Sequence, residues 1–134
     1  IEPIQLTRDT MVLKKQNNDP FVVRDKRVVI VDDSIVRGTN IKKLVDFARN
    51  KGGASEVHVR ISSPPYMHSC YLGVDTKKES ELIAHNRSIP EIEKFIGADS
   101  LAYLSKEGML SNPYLKDKGH CTYCFDGLVQ IERD

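Results

Sequence analysis

The most regular stretch of the chain is an unbroken apolar run, Arg27-Val28-Val29-Ile30-Val31, that ends on the acidic pair Asp32-Asp33. Consecutive β-branched residues without a polar alternation are the pattern of a strand buried on both faces of a parallel sheet. Beyond Gly38-Thr39-Asn40 the period changes. Ile41, Leu44, Val45 and Ala48 recur at helical spacing, which predicts a helix over 41–50 with Thr39 or Asn40 as its N-cap and Gly52-Gly53 as its stop. Val57-His58-Val59-Arg60-Ile61 then alternates as a strand does. Strand, helix and strand within about 35 residues make one right-handed βαβ unit.

The flanks are less regular. Met11–Leu13 is a candidate short strand, and Lys14–Pro20 reads as a polar loop. Ser62–Tyr71 contains Pro64-Pro65 and reads as a loop, followed by a short helical stretch over Ser80–His85. Ser88 as N-cap, Pro90 in the first turn and Gly97 at the end predict a helix over 89–97. Leu101–Leu104 reads as a strand and Ser105–Gly108 as a turn. From Asn112 onward a loop containing Gly and Cys is expected, with a short strand at Leu128–Ile131. No internal repeat or low-complexity tract interrupts the chain.

Composition adds boundaries rather than detail. At 134 residues the chain has room for one domain, and 40 % hydrophobic with 29 % charged residues is ordinary for a globular protein. A net charge of +1 argues against a nucleic-acid or membrane surface. No apolar run approaches the roughly 20 residues that span a bilayer. The start, Ile1-Glu2-Pro3-Ile4, has neither a basic region nor an apolar segment of a signal peptide, so a cytoplasmic location is expected. It also has no initiator Met, which suggests a piece of a longer polypeptide. Three Cys do not suit a simple disulfide framework, and Cys121-Thr122-Tyr123-Cys124 has the C-x-x-C spacing of metal or redox chemistry.

The chemistry concentrates in Val28–Asn40. A strand delivers Asp32 and Asp33 at its C-terminal edge, where ligands bind in open α/β sheets. Ser34–Gly38 forms a tight loop leading to Thr39 at a helix N-terminus, where backbone N–H groups and the helix dipole favour a phosphate. Ser34 and Thr39 add hydroxyls, Arg37 adds a cation, and Gly38 permits close backbone approach. The two carboxylates suit the two hydroxyls of a ribose, directly or through a Mg2+ ion that keeps several of its waters. A bare strand-end turn would explain two aspartates, but not the strand, the loop and the Gly-Thr helix start together.

This stretch resembles the fingerprint of type I phosphoribosyltransferases. The loop Asp32-Asp33-Ser34-Ile35-Val36-Arg37-Gly38-Thr39 is similar to the form found in glutamine 5-phosphoribosyl-1-pyrophosphate (PRPP) amidotransferases. Ile61–Pro65, Tyr71–Thr76, Glu81–Ala84 and Ile96–Leu101 look like family sequence in family order, so the likeness covers nearly the whole chain. The resemblance implies an α/β fold: part of a type I phosphoribosyltransferase (Rossmann-like) domain over residues 1–110, with a largely parallel sheet, and an irregular Cys-containing extension over 111–134. It implies that Asp32 and Asp33 orient the ribose and its Mg2+. Ser34, Ile35, Val36, Arg37, Gly38 and Thr39 would hold the 5-phosphate. The reaction implied is transfer of glutamine-derived ammonia to C1 of PRPP, giving 5-phosphoribosylamine. The glutaminase domain and the pyrophosphate-binding segment of the family have no match here, so the chain alone is expected to be inactive. Homo-oligomeric assembly is expected as well. The other readings of the same loop are a different type I phosphoribosyltransferase or a non-catalytic PRPP-binding module.

The resemblance extends to the cysteines. Cys70, Cys121 and Cys124 match three of the four ligands of the 4Fe-4S cluster that one subgroup of the family carries, and the fourth lies upstream of this chain. His120, directly beside Cys121, is poorly placed to share its metal. His58, His68 and His85 read as structural or surface residues. Lys14 and Lys15 fall where the family has a flexible loop, but K-K-Q-N-N departs from its pattern.

Overall fold

A computed structural model describes residues 23–72, 78–114 and 119–128. Three strands, β1 (Arg27–Asp32), β2 (Glu56–Ile61) and β3 (Ser100–Tyr103), form a parallel sheet in the order β1-β2-β3. The register brings Asp32 opposite Ile61 and Ile61 opposite Tyr103, so the three strands end together at one edge. The connection from β1 to β2 is helix α1 (Thr39–Asp46), which continues into a five-residue π-helical turn, Phe47–Lys51. That wider turn is closed by Gly52 N–H donating to the Phe47 carbonyl at 2.9 Å. It delivers Ala48 into the core and leaves Gly53, at φ +72, to turn the chain toward β2.

Helices α2 (Ile83–Asn86) and α3 (Ile89–Ile96) lie between β2 and β3. Ser88 and Gly97 bound α3 as expected. The Ser88 N–H and hydroxyl both donate to the Glu91 carboxylate, at 2.8 and 2.7 Å, and Gly97 closes the helix in the left-handed region at φ +75. Ile41 and Val45 of α1 and Ile92 and Ile96 of α3 pack with Val57, Val59, Ile61 and Leu101 into one buried cluster. Val57, Val59, Ile92 and Ile96 are fully shielded from water. A strap holds the far end of β2: Asp99 accepts the Val57 N–H at 2.6 Å and pairs with Arg49 at 2.7 Å. Those two contacts hold the Asp99 carboxyl below its ordinary range, the Val57 N–H more than the Arg49 guanidinium.

The sequence-based expectations needed four corrections. First, β1 is not buried on both faces. Val28 and Ile30 lean on the core, whereas Val29 and Val31 are 57 % and 71 % exposed, because α1 and α3 cover one side of the sheet among the described residues. Second, the N-cap of α1 is neither Thr39 nor Asn40 but Gly38, and no side chain caps that end. Third, the Ser105–Gly108 turn begins a helix, α4 (Lys106–Leu110), where Ser105 Oγ accepts the Gly108 N–H at 2.9 Å. Fourth, the Cys-containing extension is not all loop: Tyr123–Asp126 forms a helical turn, α5, that ends at Gly127 with φ +71. Leu128 lies outside any strand, and residues 129–131 of the expected last strand lie outside the described residues, as do Met11–Leu13 and Lys14–Pro20.

The extension folds back on the body. Met67 and His68 N–H both donate to the Cys124 carbonyl, at 2.9 and 3.0 Å. Lys106 pairs with Asp126 at 2.9 Å, and the Thr122 hydroxyl, on a fully buried residue, donates to the same carboxylate at 2.8 Å.

Candidate functional site

The β1–α1 junction is built by backbone contacts. The Asp32 carbonyl accepts both the N–H and the hydroxyl of Ser62, at 3.0 and 3.3 Å, which ties the end of β1 to the segment leaving β2. Asp32 Oδ1 accepts the Asp33 N–H at 2.9 Å, and Asp33 Oδ1 accepts the Ser34 hydroxyl at 3.2 Å. Neither carboxylate has an ion-pair partner among the described residues, so both remain open to a ribose or a hydrated cation. Asp33 is exposed and Asp32 half-buried.

The loop after them divides its work. Ile35 is buried at 3 % exposure and faces the core, so it can offer a ligand only its backbone. The Val36 carbonyl accepts the Ile83 N–H at 2.8 Å, which moors the loop to α2. Gly38 adopts φ +78, and a Cβ there would lie 2.7 Å from Ile83 Cδ1 and 3.2 Å from Phe95. Only glycine satisfies both the left-handed backbone and that packing. The N-terminal amides of α1 therefore leave the loop with no side-chain cap, beside the exposed Thr39. Arg37, the candidate phosphate ligand, is paired with Glu81, with Nε at 2.9 Å and a second contact through Nη2. That hydrogen-bonded pairing holds the Glu81 carboxyl below its ordinary range. Behind the pair lies a shallow cavity of about 190 Å³ that includes Arg87 and Phe95 in its lining.

At the other end of the same sheet edge, the Tyr103 hydroxyl is buried without a hydrogen-bond partner among the described residues. Burial pushes its pKa up to about 12.

The three cysteines lie close enough for Cys70 and Cys121 to act electrostatically on Cys124. Cys121 is exposed and the other two are half-buried. The pKa of Cys124 is raised, first by burial and further by the nearby Cys70 and Cys121. Leu72 N–H donates to Cys70 Sγ at 3.3 Å, the kind of contact that tunes a thiolate metal ligand. The 66–72 segment that carries Cys70 folds onto Cys124 through the Met67 and His68 amides. A soft, all-sulfur donor set fits an iron–sulfur cluster or zinc with further ligands supplied from elsewhere.

One group escaped the sequence reading. His68, Glu79 and His85 each place a ligand atom within 4.8 Å of the other two. His68 Nδ1 lies 3.2 Å from Glu79 Oε1, and His85 Nε2 lies 3.9 Å from Glu79 Oε2. No motif spacing announces this trio, because its members come from a loop, a 3-10 turn and α2. His58, in β2, makes structural contacts, as expected: its ring bridges Glu56 and Ser100, at 2.9 and 2.8 Å.

No known family profile matches the chain. Among curated proteins it is 49 % identical to the amidophosphoribosyltransferase of Synechococcus elongatus and 47 % identical to that of Bacillus subtilis, in each case over 98 % of its own length. Relatives named as chloroplastic amidophosphoribosyltransferases, such as one from Arabidopsis thaliana at 49 % identity, belong to a different compartment from the cytoplasmic one expected here. No helix among the described residues is long and apolar enough to cross a membrane. Among solved structures, the glutamine PRPP amidotransferase from B. subtilis complexed with ADP and GMP superposes with a TM-score of 0.76 at 43 % identity, covering 98 % of this chain and 30 % of that one. Along nearly its whole length this α/β chain is therefore similar to amidophosphoribosyltransferases, and it spans 26 to 28 % of the length of the two bacterial relatives.

Proposed function

We propose that this chain is part of the PRPP site of an amidophosphoribosyltransferase, acting within a longer polypeptide that transfers glutamine-derived ammonia to C1 of PRPP. The observation that carries this reading is the β1–α1 junction: two unpaired carboxylates at a sheet edge, followed by a glycine-closed loop onto an uncapped helix N-terminus. Asp32 and Asp33 hold the ribose hydroxyls. Ser34, Thr39 and the amides of residues 35–39 hold the 5-phosphate, and Arg37 exchanges Glu81 for that phosphate. In the reaction the C1–N bond forms as the C1–O bond to pyrophosphate breaks, and the nitrogen then gives up a proton. This chain contributes by fixing the sugar in line for attack and by keeping water from C1. A Mg2+ ion at Asp32 and Asp33 would neutralise phosphate charge when bound.

The remainder of the longer polypeptide would supply the glutaminase chemistry and the pyrophosphate contacts, and the assembly is a homo-oligomer. Cys70, Cys121 and Cys124 would supply three thiolates to a 4Fe-4S cluster, which would then join the 66–72 segment to α5.

The test uses the intact polypeptide and its Asp32→Asn/Asp33→Asn variant. Glutamine- and ammonia-dependent formation of phosphoribosylamine should fall together by at least about a hundredfold, because charge-stabilising contacts in the transition state are lost. Glutamine hydrolysis measured alone should persist. Near-normal turnover of PRPP in that variant would overturn the reading. PRPP binding without turnover in the wild type would identify a binding module instead.

A further inference from the structure

We propose that His68, Glu79 and His85 form a binding site for a divalent transition cation of the zinc class, separate from the cysteines and from the PRPP loop. The starting point is the tautomer of His85. Its Nδ1 lies 2.8 Å from the Met67 carbonyl, which can only accept, so Nδ1 carries the proton. In the neutral ring Nε2 then holds a lone pair, and that lone pair lies 3.9 Å from a carboxylate oxygen of Glu79. Two electron-rich atoms at that separation make no hydrogen bond and repel each other unless a proton or a metal cation stands between them, and the third ligand atom nearby favours the metal.

The remaining geometry selects what kind of cation fits. His68 Nδ1 hydrogen-bonds the other oxygen of the same carboxylate at 3.2 Å, and a cation bound there takes the place of that bond's proton, which the ring carries on Nε2 instead. Ligands bound at about 2.0–2.1 Å around a tetrahedral zinc lie about 3.3 Å from one another, so the trio is close to coordinating separation as it stands. Two imidazoles and one carboxylate suit zinc, cobalt or ferrous ions, and they leave a position open to water. Magnesium and calcium prefer all-oxygen sets.

The ligands are also held from behind, as working metal ligands are. Met67 orients His85. The His68 backbone is fixed to the Cys124 carbonyl, and its ring packs at 5.7 Å from the ring of Tyr123. The other ring nitrogen of His68 faces Gly127, where a Cβ would come within 3.0 Å of it. A cation here would fasten the 66–72 segment, the Glu79 turn and α2 to one another, next to the turn that carries Cys121 and Cys124.

The experiment loads the intact polypeptide, stripped of adventitious metal by chelation, with Zn2+ alone. Bound zinc is counted by elemental analysis in the wild type and in His85→Gln and Glu79→Gln variants, and its ligands are read by X-ray absorption. His85 is exposed, so His85→Gln keeps the fold, and circular dichroism verifies this for both variants. Each variant should lose one equivalent of zinc, or bind it at least about tenfold more weakly. The lost equivalent should show only nitrogen and oxygen neighbours at about 2.0–2.1 Å. Three outcomes would overturn the site: no zinc uptake by the wild type, equal uptake by the variants, or a lost equivalent carrying a sulfur shell at about 2.3 Å, which would assign the ion to the cysteines.

Discussion

The β1–α1 junction and the C-terminal cysteine region position their polar groups by opposite means. At the junction, neighbours in sequence are neighbours in space. Asp32, Asp33 and Ser34 hydrogen-bond along the chain, and Gly38 and Thr39 follow within one turn. In the C-terminal region local contacts of Asp126 with Thr122 and Leu128 are joined by contacts between separate segments: Cys124 with Met67 and His68, Asp126 with Lys106, and Glu79 with His68 and His85. The first arrangement rests on a fully buried core and should fail only with the fold. The second rests on exposed and half-buried groups and should loosen independently of it.

Two glycines test that difference directly. Gly38 and Gly127 both sit at positive φ, and both would crowd a neighbour if given a Cβ. At Gly38 the neighbour is Ile83, which belongs to the core cluster, at 2.7 Å. Gly38→Ala therefore combines left-handed backbone strain with overpacking, and should cost about 2–4 kcal/mol of global stability in chemical denaturation. At Gly127 the neighbour is one edge of the His68 ring, at 3.0 Å. Gly127→Ala should leave the denaturation midpoint nearly unchanged and instead speed amide exchange over 122–127. Equal losses of global stability at the two sites would show that the C-terminal region is one cooperative unit with the sheet.

That contrast also explains what could be read from the sequence. The β1–loop–α1 segment was legible because its elements lie in local spacing: a strand, an acidic pair and a Gly-Thr helix start. The boundaries of α3 were legible for the same reason, since Ser88, Glu91 and Gly97 act within a turn of their own positions. The burial of β1 was misread because an apolar run reports what a strand can bury, not whether something covers its second face. α5 has only four residues and is held by Thr122 and Lys106 both donating to Asp126, so no periodicity reveals it. The His68–Glu79–His85 group was invisible because its members come from three separate segments.

Acid should separate the two regions next. The backbone N–H of Leu128, then Lys106 and Thr122, hold the Asp126 carboxyl down to about 2. An unperturbed aspartate titrates near about 3.9. The folded value is depressed, so the contribution of Asp126 is fully present above about pH 4 and is lost as pH falls toward 2. Amide exchange over 122–127 should therefore quicken between about pH 4 and 2 while the protection of Val57 and Val59 in β2 persists. In Asp126→Asn the same amides should already exchange fast at neutral pH, with no further acid step from this group. A β2 that opens together with α5 in acid would erase the distinction.

Alkali should act on the sheet side, and this is the smallest effect. The Tyr103 hydroxyl is buried at the C-terminal edge of β3 without a hydrogen-bond partner among the described residues, and burial raises its pKa to about 12. An unperturbed tyrosine ionises near about 10. Here the folded value lies above the unfolded one, so the stability associated with the protonated ring is complete below about pH 10 and is lost as pH rises through 12. Tyr103→Phe removes a hydroxyl that has no partner, so it should change stability at neutral pH by less than about 1 kcal/mol, and in the favourable direction if it changes at all. The variant should also lose the late phenolate step in ultraviolet titration and the matching loss of stability at high pH. A cost above about 2 kcal/mol at neutral pH would mean that the hydroxyl has a partner in the folded protein, and that the edge shared by Asp32 and Tyr103 carries a polar contact which helps to hold the β1–α1 junction in place.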